Sequence, residues 1–128
     1  MLAVLSFCVL FIAARHLAFA DEVDRELLCG AVGAYLLLGI FWANIYQIIN
    51  FVDPEAFHGP DGGVLERSAL YYFSFTTLTT TGYGDITAVD PLVRMWTIFE
   101  AIIGSMYNAI VIARLVSLYG RPGGREEH

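Results

Sequence analysis

The sequence predicts an all-α membrane protein in which two spanning helices flank a shorter, re-entrant helix. Hydrophobic residues make up 57% of the 128 positions and charged residues only 16%, whereas about a quarter of a typical soluble domain is charged. Two apolar runs, residues 27–51 and 92–118, are each longer than the about 20 residues that a spanning helix needs. Between them, the aromatic and Thr-rich residues 64–79 are too few to span, and they predict the re-entrant helix.

A further apolar run, residues 2–20, opens the sequence. We expect an additional spanning helix over residues 1–20, followed by an acidic cytoplasmic linker over residues 21–26. Two alternatives are a helix lying in the membrane interface and a signal peptide that ends at Ala18-Phe19-Ala20. No positive charge precedes the apolar stretch, which disfavours the signal peptide. Its polar residues do not gather on one face, which disfavours the interfacial helix.

Loops are predicted on both sides of the re-entrant helix. Residues 53–63 contain two prolines and three glycines, which is typical of a surface loop. Pro91 is well placed for the first turn of the third apolar run. If these loops lie outside the cell, five of the seven arginines are cytoplasmic, in agreement with the positive-inside rule. The outer acids then form an anionic mouth: Asp53, Glu55, Asp61, Glu66, Asp85 and Asp90.

Composition and motifs argue against two classes of function. The formal charge is −6 and the chain has no lysine, so no basic patch is available to neutralise the phosphates of a nucleic acid. The Thr-rich cluster has no His or Lys base beside it in the sequence. We therefore expect neither a nucleic-acid-binding protein nor an enzyme.

The six residues that follow the re-entrant helix are suited to line a path for a cation. A cation that crosses a bilayer must exchange its hydration oxygens for protein oxygens, and backbone carbonyls can supply them. To aim successive carbonyls at one axis, the backbone must alternate with left-handed conformations, which glycine adopts without a Cβ penalty. Gly82 and Gly84 have this spacing. The hexapeptide is Thr80-Thr81-Gly82-Tyr83-Gly84-Asp85.

This segment resembles the signature filter of tetrameric potassium channels. The resemblance extends over residues 27–118, and the residues that carry it are Thr77-Leu78-Thr79-Thr80-Thr81-Gly82-Tyr83-Gly84-Asp85. It implies a homotetrameric pore, with residues 27–118 as the pore domain and residues 119–128 as a polar cytoplasmic tail. It also implies K⁺ as the permeant ion, in a filter that ends at Gly84. The implied K⁺ ligands are the carbonyls of Thr80, Thr81, Gly82 and Tyr83 and the Thr80 hydroxyl.

The resemblance implies a potassium-selective channel subunit that conducts K⁺ passively. Its partners are then three further copies of itself and the lipid bilayer. The expected location is the cell membrane, with the filter mouth extracellular and the C-terminus cytoplasmic. Two alternatives are a weakly selective monovalent cation channel and a non-conducting membrane module or fragment.

Two positions, 81 and 76, depart from the pattern of the family. Thr81 stands where Val or Ile is commoner, so an additional hydroxyl needs a partner behind the filter. Thr76 occupies a position that holds an acid in some relatives, where the acid pairs with the filter aspartate. Asp85 is therefore expected to lack that partner. Tyr72 is expected to support Tyr83 by hydrogen bonding.

Glu100 is the only acid in the predicted spans, and an intramembrane carboxylate suggests a functional role. Its depth in the third apolar run nearly matches the depth of Asn44 in the second. We predict that Glu100 meets Asn44 or the threonines Thr76 and Thr77, and that it braces the filter from behind. A proton-sensing gate is the alternative.

Below the filter, three residues of the third apolar run are predicted to line a cavity. Ser105, Asn108 and Ile112 follow a three-then-four spacing and share one helix face. Asn108 forms either a polar ring below the filter or, alternatively, a helix-contact amide. By resemblance, Gly104 corresponds to the hinge glycine of the inner helix in the family.

Overall fold

The computed structural model describes residues 25–60, 62 and 64–119, which form three helices and one pair of very short strands. Helix α1 is Arg25–Val52, α2 is Arg67–Leu78 and α3 is Pro91–Tyr119; strand β1 is Phe57–His58 and β2 is Thr87–Ala88. The predicted N-terminal helix, residues 1–20, lies outside the described residues, as do most of the predicted linker and tail.

Helices α1 and α3 are long and apolar enough to cross a membrane, over Leu28–Val52 and Pro91–Ser117. Their 28 and 29 residues extend about 42 and 44 Å at about 1.5 Å per residue. Helix α1 begins at Arg25, inside the predicted linker, and α3 ends at Tyr119, one residue into the predicted tail. The flanking Arg and Glu are good helix formers, which explains the longer α1. The predicted all-α membrane fold is confirmed.

Helix α2 is the predicted re-entrant helix, and it packs against both α1 and α3. Its buried residues are Leu70, Phe73, Ser74 and Leu78, at the three- and four-residue spacing of one helix face. Phe73 meets Tyr46 of α1 edge-on, with ring centroids 5.3 Å apart. The aromatic face of α2 therefore anchors it to the first spanning helix.

Two glycines allow α2 to approach the spanning helices closely. A Cβ atom on Gly39 of α1 would lie 2.6 Å from the Phe75 ring, and one on Gly104 of α3 would run into the backbone carbonyl of Leu78. Both glycines are buried. The position of α2 between its two neighbours thus depends on the absence of side chains at these sites.

The loops on either side of α2 pair with each other, which corrects the prediction of a plain surface loop over residues 53–63. Strands β1 and β2 are antiparallel, with Phe57 opposite Ala88. The N–H of Val89 donates to the carbonyl of Ala56 at 2.8 Å. Ala56, Phe57 and Ala88 are buried, and backbone groups at buried positions require hydrogen-bond partners.

Helix α3 begins at Pro91, as its place in the sequence predicts. Asp90 provides the cap, because its Oδ1 accepts the N–H groups of Leu92 and Val93 at 2.8 and 3.1 Å. The start of the second spanning helix is therefore set by local chemistry.

Candidate ion-conduction site

Helix α2 ends in a Schellman motif, from which the predicted filter segment begins. The N–H of Thr80 donates to the carbonyl of Thr77 at 2.9 Å, and the N–H of Thr81 donates to the carbonyl of Thr76 at 2.9 Å. The same Thr76 carbonyl accepts the N–H of Gly82 at 3.1 Å. These bonds occupy carbonyls that a helix end would otherwise leave open. They also fix the direction in which the segment leaves α2.

The backbone of the segment alternates in handedness. The φ angle is +57° at Thr80, +51° at Gly82 and +80° at Gly84, whereas Thr81 and Tyr83 lie outside the positive-φ region. The glycine spacing predicts positive φ at Gly82 and Gly84. The structure adds a third positive-φ position, Thr80, two residues before Gly82. The sequence did not indicate Thr80, because its conformation comes from the helix-ending motif, where glycine is the usual residue. A left-handed conformation costs an L-residue with a side chain about 1–2 kcal/mol.

The threonine hydroxyls of the segment find partners within the chain. Thr79 Oγ1 donates to the Phe75 carbonyl at 2.7 Å, so its oxygen can accept the proton of Thr81 Oγ1 at 2.9 Å. The additional hydroxyl at position 81 thus has a partner. Thr80 Oγ1 donates to the Thr79 carbonyl at 2.7 Å, which leaves its lone pairs available to a cation.

Tyr72 contacts both Tyr83 and Asp85, although not in the predicted way. The rings of Tyr72 and Tyr83 stack with centroids 6.2 Å apart and an interplanar angle of 8°, so the support is a ring contact rather than a hydrogen bond. The pKa of Tyr72 is raised above its usual value. The main cause is partial desolvation, and the second is the neighbouring Asp85 carboxylate, which accepts a hydrogen bond from the protonated phenol. Position 76 is a threonine whose hydroxyl donates to the Phe73 carbonyl, so Asp85 has no acid partner there, as expected. The phenol of Tyr72 is its neighbour instead.

Glu100 lies behind this segment and is completely buried. Its Oε2 accepts the hydroxyl of Tyr46 in α1 at 2.6 Å, and its Oε1 lies 2.6 Å from Ser74 Oγ in α2. One acid of α3 thus contacts both other helices. Ser74 Oγ also lies 2.9 Å from the carbonyl of Gly39 in α1.

The partners predicted for Glu100 are wrong. Asn44 donates to the Ile40 carbonyl of its own helix at 2.8 Å, and Thr76 donates to the Phe73 carbonyl at 3.0 Å. Asn44 precedes Tyr46 by two residues, about 200° around the helix, so matching depths selected the wrong face of α1. The sequence did contain a signal that Ser74 is buried and could be a partner of Glu100. Ser74 lies four residues from both Leu70 and Leu78, a spacing that places all three on the buried face of α2.

At the lower end of α2, two polar residues from the spanning helices meet. Tyr35 of α1 donates to the carbonyl of Leu78 at 3.2 Å, and Asn108 of α3 lies 3.4 Å from the Tyr35 hydroxyl. Asn108 is exposed, so it contacts another helix while it keeps an open side. Gly104 lies within an unbroken α3 against Leu78. Close packing against Leu78 requires a glycine here, and the hinge role stays a prediction.

The other two predicted cavity residues are exposed. Ser105 Oγ donates to the Ala101 carbonyl of its own helix at 2.8 Å, and Ile112 is 62% exposed. Both residues lie on a surface of α3 that no other part of the described chain covers. The role of Ser105 and Ile112 in lining a cavity stays a prediction.

Residues 79–85 are all exposed in the single chain. One side of the segment opens on a groove of about 540 Å³ whose lining includes Thr76, Thr77, Arg94 and Thr97. Irregular backbone at membrane depth is tolerated only where it is buried in protein or lines a water-filled cavity. At membrane depth, such a segment would therefore need either further protein or a water-filled cavity beside it.

Comparison with known proteins agrees with this arrangement. The family model described as "Ion channel" matches residues 31–121, which include most of α1, the segment between the spanning helices and all of α3. The chain belongs to this ion channel family, with a pore domain of the potassium channel type. A family of channels also accords with the expectation that the chain is not an enzyme.

Two relatives are potassium channels by name. The chain is 32% identical to "Two pore potassium channel c" of Oryza sativa subsp. japonica over 85 residues, which are 66% of this chain and 17% of that protein. It is 36% identical to "Potassium channel subfamily K member 17" of Homo sapiens over 53 residues, 41% of this chain and 16% of that protein. The chain thus spans about a sixth of the length of these relatives. No solved structure matches the chain significantly.

Proposed function

We propose that the chain is a subunit of a potassium-selective channel that conducts K⁺ passively as a homotetramer. The observation that carries the proposal is the alternation of φ at Thr80, Gly82 and Gly84, in a segment held between two helices long enough to span a membrane. Such a backbone can turn successive carbonyl oxygens toward one axis. The potassium channels among its relatives support K⁺ as the permeant ion.

The ion sites consist of backbone oxygens. The carbonyls of Thr80, Thr81, Gly82 and Tyr83, with the Thr80 hydroxyl, replace the hydration shell of K⁺, and Gly84 completes the filter. The C-terminal end of α2 faces this segment, so its negative dipole end favours a cation at the base of the filter. K⁺ moves down its electrochemical gradient, and a transmembrane potential contributes about 2.3 kcal/mol per charge per 100 mV.

Four copies complete the pore, because each chain supplies one filter segment and such filters have four. The exposure of residues 79–85 and the open groove beside them support this assembly. A neighbouring copy in the groove would enclose backbone that a single chain leaves open. The tetramer would lie in the lipid bilayer with its filter on the axis.

The filter mouth is extracellular and the C-terminus cytoplasmic in this proposal. Arg67 and Arg94 lie near the loops and the filter, whereas Arg25 begins α1 and Arg114 lies in the last turns of α3, at the opposite ends of the spans. The larger group of arginines, which continues beyond α3, belongs on the cytoplasmic side. The acids of the loops then face the outer solution and attract cations.

The proposal can be tested with purified protein in liposomes. Wild-type protein should release K⁺ faster than Na⁺. Gly82→Ala forces a Cβ into a φ of +51°, although no atom of the same chain lies within 4 Å of it, so it should lower K⁺ release through strain in the filter backbone. The matched control Gly33→Ala, where a Cβ also meets nothing within 4 Å but φ is ordinary, should behave as wild type.

Two results would overturn the proposal. Equal release of K⁺ and Na⁺ by wild-type protein would indicate a weakly selective cation channel. Absence of release from a correctly assembled oligomer would indicate a non-conducting membrane module.

A further inference from the structure

The three helices meet at one buried polar cluster behind the filter: Tyr46 of α1, Ser74 of α2 and Glu100 of α3. Glu100 and Ser74 are each 0% exposed, and so is Tyr46. The three oxygen contacts of this cluster are short, at 2.6, 2.6 and 2.9 Å. The last of them joins Ser74 to the carbonyl of Gly39, which can only accept.

The number of protons in the cluster depends on the state of Glu100. Ser74 has a single hydroxyl proton, yet its oxygen lies within hydrogen-bond distance of two oxygens, Glu100 Oε1 and the Gly39 carbonyl. If Glu100 is ionised, Ser74 can donate to one of them, and the other contact brings two acceptors together without a proton. An ionised Glu100 therefore leaves one short contact unfavourable.

A protonated Glu100 satisfies every contact. Its Oε1–H donates to Ser74 Oγ, Ser74 donates to the Gly39 carbonyl, and Tyr46 donates to Oε2. All four groups then have a partner of the correct kind, in one continuous chain from α3 through α2 to α1.

The charges around the cluster lead to the same conclusion. Among the residues that the structure describes, the groups that contact the Glu100 carboxyl are two uncharged hydroxyls. The arginines of the filter side make other contacts, Arg94 with the Ala88 carbonyl at 3.0 Å and Arg67 with the Tyr71 hydroxyl at 3.4 Å. A buried carboxylate without a cationic partner loses most of the solvation free energy that water gives its charge, with no ion pair to offset the loss. A neutral acid avoids this loss.

We propose that Glu100 is held as a neutral carboxylic acid that donates its proton to Ser74 and thereby fastens α2 to both spanning helices. Glu100 is a positioning residue: it does not touch the ion path, and it acts through α2, whose C-terminal end sets where the filter segment begins. The neutral state also keeps a fixed negative charge away from the back of the filter. The consequence for ion selectivity rests on the proposed function, whereas the protonation state does not.

Infrared spectroscopy of the reconstituted protein tests the protonation state directly. At neutral pH, the wild-type minus Glu100→Gln difference spectrum should contain the carbonyl stretch of a protonated carboxylic acid. The matched control is Glu55→Gln, which removes an exposed acid and should lose only carboxylate bands. A Glu100→Gln difference that contains carboxylate bands alone would overturn the proposal, whether or not the protein conducts.

Rescue by the amide tests the positioning role. A glutamine can accept from Tyr46 and donate to Ser74 as the neutral acid does, so Glu100→Gln should keep the K⁺ over Na⁺ preference of the wild type. Glu100→Ala should lower it, because Tyr46 and Ser74 both lose their contact with the carboxyl group and α3 is no longer bonded to α1 and α2 here. If Glu100→Gln is as defective as Glu100→Ala, the neutral acid is not the working state. If the alanine variant does not assemble, the glutamine variant and the infrared spectrum still decide the outcome.

Discussion

The front and the back of the proposed filter are stabilised in opposite ways. The front, residues 79–85, is exposed and is held by its own backbone and by hydroxyls of neighbouring residues. The back consists of buried side chains from three helices, with Glu100 between Tyr46 and Ser74. The front therefore depends on local conformation and the back on tertiary packing. Changes at the back should mainly lower stability, and changes at the front should mainly alter conduction.

Gly104→Ala should have the largest effect, because it acts at the back, where α2 touches α3. The new Cβ would run into the Leu78 carbonyl, and overpacking of this kind costs about 1–3 kcal/mol or more. The thermal midpoint of the solubilised oligomer, followed by helical circular dichroism, should fall clearly. Gly30→Ala is the control, because its Cβ meets nothing within 4 Å. Equal midpoints for the two variants would show that α2 does not pack here.

Tyr46→Phe should have the next largest effect. It removes one proton donor from the buried Glu100, and an unsatisfied buried polar group costs about 1–3 kcal/mol. Tyr71→Phe makes the same chemical change where the hydroxyl meets Arg67 at an exposed site, and it should leave the thermal midpoint nearly unchanged. A midpoint for Tyr46→Phe as high as that for Tyr71→Phe would contradict a stabilising role for the buried cluster.

The helical fold and the backbone conformation of the front, residues 79–85, could be predicted from the sequence because both depend on local sequence signals. Apolar length predicts the two spans, the proline at position 91 predicts a helix start, and Gly82 and Gly84 predict the alternating backbone. The partners of Glu100 were not accessible, because they depend on how α1 and α2 are rotated about their axes. The pairing of β1 with β2 was missed for a similar reason, since it joins residues about thirty positions apart in loops of low strand propensity.

Thr80→Gly should separate stability from conduction at the front. It relieves the positive φ of a branched residue and should raise stability by about 1 kcal/mol, while it removes the hydroxyl oxygen proposed to bind K⁺. The thermal midpoint should therefore rise and K⁺ conductance should fall. Thr81→Gly is the control at an ordinary φ, and it should lower the midpoint by the usual entropic penalty of glycine. A fall in the midpoint for both variants would mean that Thr80 carries no strain.

Thr81→Val should have the smallest effect. Its hydroxyl bonds to Thr79 within the chain, and the loss of one such exposed bond costs less than about 1 kcal/mol. Because the carbonyl of residue 81 is retained, single-channel K⁺ conductance and selectivity should remain close to wild type. A large change in selectivity would show that the Thr81 side chain, and not only its backbone, shapes the ion path.

The most direct test of the central claim is the reversal potential of single channels in a planar bilayer with K⁺ on one side and Na⁺ on the other. A filter of aligned carbonyls predicts current carried by K⁺, so the reversal potential should lie far from zero on the side set by the K⁺ gradient. A reversal potential at zero would mean that K⁺ and Na⁺ pass equally, and it would contradict the account of residues 80–84 as a potassium-selective filter.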